Sequence, residues 1–109
     1  MTAMLEKKRY LLVEIAVENA RLGEREAKHL LYAAAFEFLG ELGAARAGLR
    51  FKAFDERAQR AVIKCRTDSL EQVVAALALK RFHSFASGQR TNVVLRASKA
   101  SGMIAKLTR

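Results

Sequence analysis

The stretch "LRFKAFDERAQRAVIKCR", residues 49–66, is two alternating runs on either side of a polar break. In the first run Leu49, Phe51 and Ala53 share a side, and in the second Ala61, Ile63 and Cys65 do. Arg50, Lys52, Arg60, Lys64 and Arg66 point the other way. A period of two is the pattern of a strand with one buried face, and the five-residue break "DERAQ" (55–59) reads as the loop of a hairpin. The hairpin therefore has one apolar face and one basic face, and whatever packs against it must lie on the apolar side.

The sequence around the hairpin supplies that packing layer. Upstream, Ala27, Leu30, Leu31, Ala34, Phe38 and Leu42 recur at helical spacing between Glu24 and Leu42, with acids in the first turn and Gly43 placed as a C-terminal cap. Before it, "RYLLVEIAV" (9–17) is β-branched and apolar, with Leu11, Val13, Ile15 and Val17 on one side and Tyr10, Leu12 and Glu14 on the other, as in a central strand. Downstream, Ser69 and Gln72 form a capping-box pattern, and Leu70, Val73, Val74 and Leu77 repeat as a second amphipathic helix to about Leu79. A turn at Ser87-Gly88 precedes the strand "TNVVLRA" (91–97), and Ser101-Gly102 reads as the start of a short last helix carrying Met103, Ile104 and Leu107. The order βαββαβ, with right-handed crossovers, predicts an α+β fold: a ferredoxin-like, RRM-like four-stranded antiparallel sheet with two helices on one face and a short C-terminal helix.

With 109 residues, no proline and no low-complexity run, the chain is expected to be a single domain spanning 1–109. The apolar run "LLYAAAF" (30–36) ends at Glu37, far short of the roughly 20 residues of a membrane span, and "YLLVEIAV" lacks a cleavage site. A cytoplasmic protein without membrane attachment is expected. One cysteine and two histidines far apart in sequence make neither a disulfide nor a structural zinc site. An acylphosphatase-like active site would need a Gly-rich phosphate cradle after the first strand, where this chain has "VENARLGERE" (17–26) with one glycine. His29 and His83 have no carboxylate or cysteine at triad or ligand spacing, and Cys65 shares the apolar face of its strand. No catalytic constellation is present in the pattern.

Charge is the stronger signal. The formal net charge is +9, and Lys80 to Arg109 contributes seven Lys or Arg and no acid. Such an excess is the footprint of a polyanion partner, nucleic acid first. A sheet that stacks bases would expose aromatics on its central strands, but the positions available are Tyr10, Leu12 and Glu14 on the first strand and Arg60, Val62 and Lys64 on the third. Recognition of backbone and shape fits these residues better than base stacking by the sheet.

"KRYLLVEI" (8–15), "FLGELGAARAGLRFKAFD" (38–55), "QRAVIKCR" (59–66), "EQVVAALAL" (71–79) and "VVLRASKASGMIAKL" (93–107) resemble, in this order, the ribonuclease P protein component 2 family of archaea, which has a eukaryotic counterpart. The most specific pieces are Gly40, Gly43, Ala44 and Ala45 and the closing Ser101, Gly102 and Ile104. The resemblance implies a subunit of the ribonucleoprotein endonuclease that removes the 5′ leader from precursor tRNA. Catalysis would lie in the RNA subunit with its Mg²⁺, and the protein would bind no cofactor and supply no catalytic residue. It also implies pairing with ribonuclease P protein component 3, as a heterodimer or a 2:2 heterotetramer. The expected RNA-binding residues are Lys7, Lys8, Arg9, Lys80, Arg81, Arg90, Arg96, Lys99, Ser101, Gly102, Lys106 and Arg109. Tyr10, Leu12, Phe36 and Leu39 are the apolar candidates for the protein contact. Two other readings fit the residues: a different basic ferredoxin-like RNA-binding protein, such as a ribosomal one, or a regulatory domain that binds a small ligand.

Overall fold

The computed structural model describes residues 7–85, 88 and 90–104. The chain runs β1 (Lys8–Val17), α1 (Glu24–Ala47), β2 (Arg50–Asp55), β3 (Arg60–Arg66), a 3₁₀ turn (Thr67–Ser69), α2 (Leu70–Leu79), β4 (Phe82–Ser84) and β5 (Arg90–Ser101). All strand pairs are antiparallel and the order across the sheet is β2-β3-β1-β5-β4. The sheet thus has five strands where alternation predicts four. The added strand, β4, is "FHS", three residues long and too short for any period to show.

Both helices lie on one face. Ala27, Leu30, Leu31 and Ala34 of α1 and Val73 and Leu77 of α2 close on Leu11, Val13, Ile15, Ile63, Cys65, Val93 and Leu95 of the sheet. Helix α1 starts after Gly23, whose N–H is accepted by the Glu26 carboxylate at 3.1 Å, the half of a capping box that a glycine permits. Its ending differs from expectation. The helix is interrupted at Gly40, with φ 73° and ψ 176°, resumes, and terminates at Gly48, whose φ of 58° is the left-handed cap. Because the break changes the phase, Ala44 and Ala47 are buried while Leu42 is 77% exposed; Phe38, before the break, is exposed as well. Extending the period of the first half through Gly40 puts Leu42 wrongly in the core. Ser69 precedes α2 as its N-cap but makes no side-chain capping hydrogen bond, because the 3₁₀ turn leads the chain into the helix instead.

Two bulges set which side chains face the helices. In β2 the register passes from Phe51↔Ile63 to Ala53↔Val62, so Lys52 is the extra residue. Ala53 moves to the face away from the helices and Phe54, opposite Ala61, packs against the core. In β5 the register passes from Val13↔Ala97 to Leu12↔Lys99, with Ser98 extra and its hydroxyl donating to the Leu12 carbonyl at 3.3 Å. Each extra residue reverses the alternation beyond it. Strand β5 then continues to Ser101 rather than stopping near Ala97, so Ser101 closes a strand, and a 3₁₀ helix begins only at Ile104. The rest of the expected terminal helix, 105–109, lies outside the described residues.

On the face away from the helices, Leu12 and Val62 are buried beneath Tyr10, Ala53 and Ile104. Ile104 comes from beyond β5, so this patch is covered by the chain itself. The candidate partner contact at Leu12 is corrected accordingly, and Tyr10 is half-buried in the same cluster.

The β2–β3 loop is held to the β1–α1 loop by the side chains of Gln59 and Arg21. Gln59, at φ 54°, accepts from the Leu22 N–H at 2.8 Å and donates to the Leu22 carbonyl at 3.0 Å and the Glu56 carbonyl at 2.7 Å. Arg21 adds donors to the Glu56 and Arg57 carbonyls. Removing the amide strands both backbone groups of buried Leu22. Gln59→Ala is expected to destabilise the chain by about 1–3 kcal/mol, read from the urea midpoint at unchanged m-value.

Candidate nucleic-acid interface

The basic face that alternation assigns to the hairpin lies on the side of the sheet that no helix covers. The register places Lys8 opposite Arg66 on β1 and β3, and Lys64 opposite both Tyr10 of β1 and Arg50 of β2. Neighbouring strands are about 4.8 Å apart, so cations on three adjacent strands converge at one end of the sheet. They line a cleft of ≈ 690 Å³ together with Arg46 at the end of α1, Gly48 in the turn to β2, and Ser69 and Gln72 at the start of α2.

Among the described residues, five cationic side chains line this cleft, Lys8, Arg46, Arg50, Lys64 and Arg66, against one acid, Asp68. Arg66 holds that acid with two donors, Nε at 3.2 Å and Nη2 at 3.1 Å. The fork keeps the Asp68 carboxyl below its usual range. Crowding shows in Lys64: the Lys8 ammonium, partial desolvation, and the Lys52 and Arg50 charges push its pKa below that of an ordinary lysine. Like charges held this close repel one another, and an anion bound between them relieves the repulsion. Cys65 lies beneath the cleft, 1% exposed, with its thiol pushed up to about 11 by burial, so it is a packed and protonated residue.

Of the expected RNA-binding residues, only Lys8 is among the described residues that line this cleft. Lys7 and Arg9 are exposed nearby, and the Lys7 carbonyl accepts the Thr67 N–H at 2.8 Å. Lys99 and Arg96 stand on the same face along β5, opposite Leu12 and Glu14, and Arg96 pairs with the Glu14 carboxylate at 3.4 Å. Ser101 ends that strand and Gly102 follows it, with the Ser101 hydroxyl accepting the Met103 N–H at 3.1 Å, so the hydroxyl caps its own turn. Lys106 and Arg109 lie outside the described residues. Arg46, Arg50, Lys64 and Arg66 were not among the expected site residues: their partners across the strands are far away in sequence, and charge density along the chain points to the C-terminal end instead.

Lys80 is withdrawn from the phosphate-binding set. It is 8% exposed, and its ammonium donates to Glu37 of α1 at 2.6 Å, which ties α2's end to α1. Arg81 and Arg90 are exposed but flank β4, at the opposite edge of the sheet from β2. Phe36 is exposed and available to a partner, whereas Leu39 packs against the core.

The fifth strand also brings the two histidines together. His83 of β4 is buried, its Nε2 lies 3.4 Å from His29 Nδ1, and its ring meets Phe85 edge-on at 4.7 Å. Burial first, then the charges of Lys80 and His29, lower the His83 pKa, with Glu37 opposing. The folded chain therefore binds this proton less readily than the unfolded chain. Stability is full above about pH 6.5 and falls as pH drops from there toward the lower folded pKa. The urea midpoint is expected to drop between pH 7.5 and 5.5, with a smaller drop in His83→Gln.

A model of the Rpp14/Pop5 family matches residues 9–109. Ribonuclease P protein component 2 of Pyrococcus furiosus is 31% identical over 104 residues, covering 95% of this chain and 82% of that relative. A chain in the cryo-EM structure of yeast ribonuclease MRP superposes with a TM-score of 0.67 at 10% identity, over 93% of this chain and 78% of that one, and so shares the fold. The family match spans the central strand, the basic hairpin and the closing strand alike, and on that evidence the chain belongs to the Rpp14/Pop5 family.

Proposed function

We propose that the face of the sheet away from the helices is where this ribonuclease P protein subunit binds the RNA of its ribonucleoprotein. The observation that carries the reading is the cluster of Lys8, Arg50, Lys64 and Arg66 on three adjacent strands, with Arg46 beside it and Asp68, the one acid among the described lining residues, held by Arg66. Each ammonium or guanidinium that meets a phosphate releases condensed counterions, which favours binding without reading sequence. Arg50 offers a planar fork suited to phosphate oxygens, and Lys8 and Lys64 act as point charges.

Within that reading, strands β2-β3-β1-β5 and the two helices are a ferredoxin-like core to which β4 is added. The phosphodiester is cut by the RNA subunit with its Mg²⁺ during removal of the 5′ leader of precursor tRNA. The protein's cations occupy positions where the RNA alone would gather extra Mg²⁺. Ribonuclease P protein component 3 is the protein partner, in a heterodimer or 2:2 assembly, with exposed Phe36 as a contact candidate, and the complex works in the cytoplasm.

If about five phosphates are contacted, log affinity for ribonuclease P RNA should fall against log salt with a slope of about −3.5 to −4.5. The triple change Lys8→Glu, Arg50→Glu and Lys64→Glu is expected to flatten that slope and raise the Mg²⁺ needed for leader removal in a particle reconstituted with the RNA and component 3. A flat slope for the unaltered chain, or unchanged binding by the triple variant, would overturn the proposal.

A further inference from the structure

The opposite edge of the sheet has a different chemistry. Phe82, on edge strand β4, is 44% exposed, and the Arg90 guanidinium lies over its ring, 4.1 Å from the centroid. The ring lines a depression of ≈ 370 Å³ with Phe38, Leu79, Arg81 and Ser84. Phe38 and Leu79 are exposed as well, so three large apolar side chains meet water at one place. The acid at its rim, Glu37, is already engaged by Lys80 at 2.6 Å. From Lys80 to Arg109 the sequence has no acid of its own.

A partner for this edge must offer a flat apolar surface and a negative charge within a few ångströms of each other. One nucleotide does both, since its base has two π-faces and its phosphate a full charge. A base inside a duplex has both faces covered by its neighbours, so such an edge takes only unpaired nucleotides. The aromatics that the central strands lack for stacking are thus supplied by a strand that alternation could not reveal.

We propose that the β4 edge is a stacking site for an unpaired nucleobase of RNA, with the Phe82 ring and the Arg90 guanidinium over it as the platform and Arg81 facing the adjoining phosphate. The proposal rests on the RNA-binding reading above but uses separate residues at the other side of the sheet. The basic cleft meets backbone, paired or not, and the β4 edge discriminates unpaired from paired RNA. Stacking tolerates any base, so the site selects a structural state of the RNA and not a sequence.

The test compares the affinity of the full chain for a single-stranded oligouridylate carrying one 2-aminopurine with its affinity for an RNA duplex of equal length in the same salt. Phe82→Leu is expected to weaken single-strand binding by about 5- to 150-fold, the range for one lost stack, with duplex binding unchanged. Phe82→Tyr should retain both affinities. The 2-aminopurine fluorescence should be quenched by the unaltered chain and not by Phe82→Leu. Matching thermal melts of the two variants establish that both fold. Equal loss on single strand and duplex, or no loss on either, overturns the proposal. So does loss of component 3 binding with RNA affinities unchanged, which would make the edge a protein contact. A flat salt dependence of the unaltered chain on both RNAs would instead overturn the RNA-binding reading itself, and is measured before any variant.

Discussion

Strand β1 gives both of its edges to neighbours, β3 on one side and β5 on the other, and this double pairing governs the rest of the molecule. Its odd-numbered residues Leu11, Val13 and Ile15 must be covered by helices, because a half-paired apolar stripe in water would cost several kcal/mol. Two helices suffice to cover one face and none is left for the other. Apart from the Leu12–Val62 patch that Tyr10, Ala53 and Ile104 cover, the helix-free face meets water, and Arg60, Lys64 and Arg66 on β3 and Arg96 and Lys99 on β5 suit it. A sheet covered on one side thus presents a large charged surface as a by-product of how its core is built. The binding surface and the core are the two sides of the same strands.

Formal charge describes this surface poorly. Lys80 is buried against Glu37, and Arg96 leans on Glu14, so part of the C-terminal excess is matched by acids from earlier elements. The hairpin looks less basic by sequence because Asp55 and Glu56 sit in its loop. In space those acids lie at the far end of the strands from Lys8, Lys64 and Arg50. Pairing across strands, not proximity along the chain, decides which charges reinforce one another. The lowered proton affinity of Lys64 is a consequence of that pairing.

Much of the architecture can be read from periodicity. The hairpin, β1, the first half of α1 and all of α2 follow from spacing, and Ala61, Ile63 and Cys65 face the core as alternation requires. The departures have local causes. Gly40 breaks the phase of α1, an event that a glycine permits but does not announce. Strand β4 is shorter than the window in which any period can be detected, and with it His83, Phe82 and the contact to His29 stayed hidden. The candidate site was half legible: the basic face of the hairpin is visible residue by residue, yet its convergence with Lys8 and Arg46 depends on register, which no single segment contains.

The bulges at Lys52 and Ser98 bear on how such a chain can change length over evolutionary time. An insertion in the middle of a strand is ordinarily ruinous, because it sends every later side chain to the wrong layer. Here each extra residue is absorbed by a local widening, and the residues beyond it are apolar or charged to suit their reversed sides: Phe54 inward, Lys99 outward. A homologue lacking either residue would keep the same strands only by exchanging the polarity of everything downstream in that strand. Gaps at these two places should therefore travel with a swapped pattern of apolar and charged residues, a linkage between chain length and composition that pairwise identity does not register.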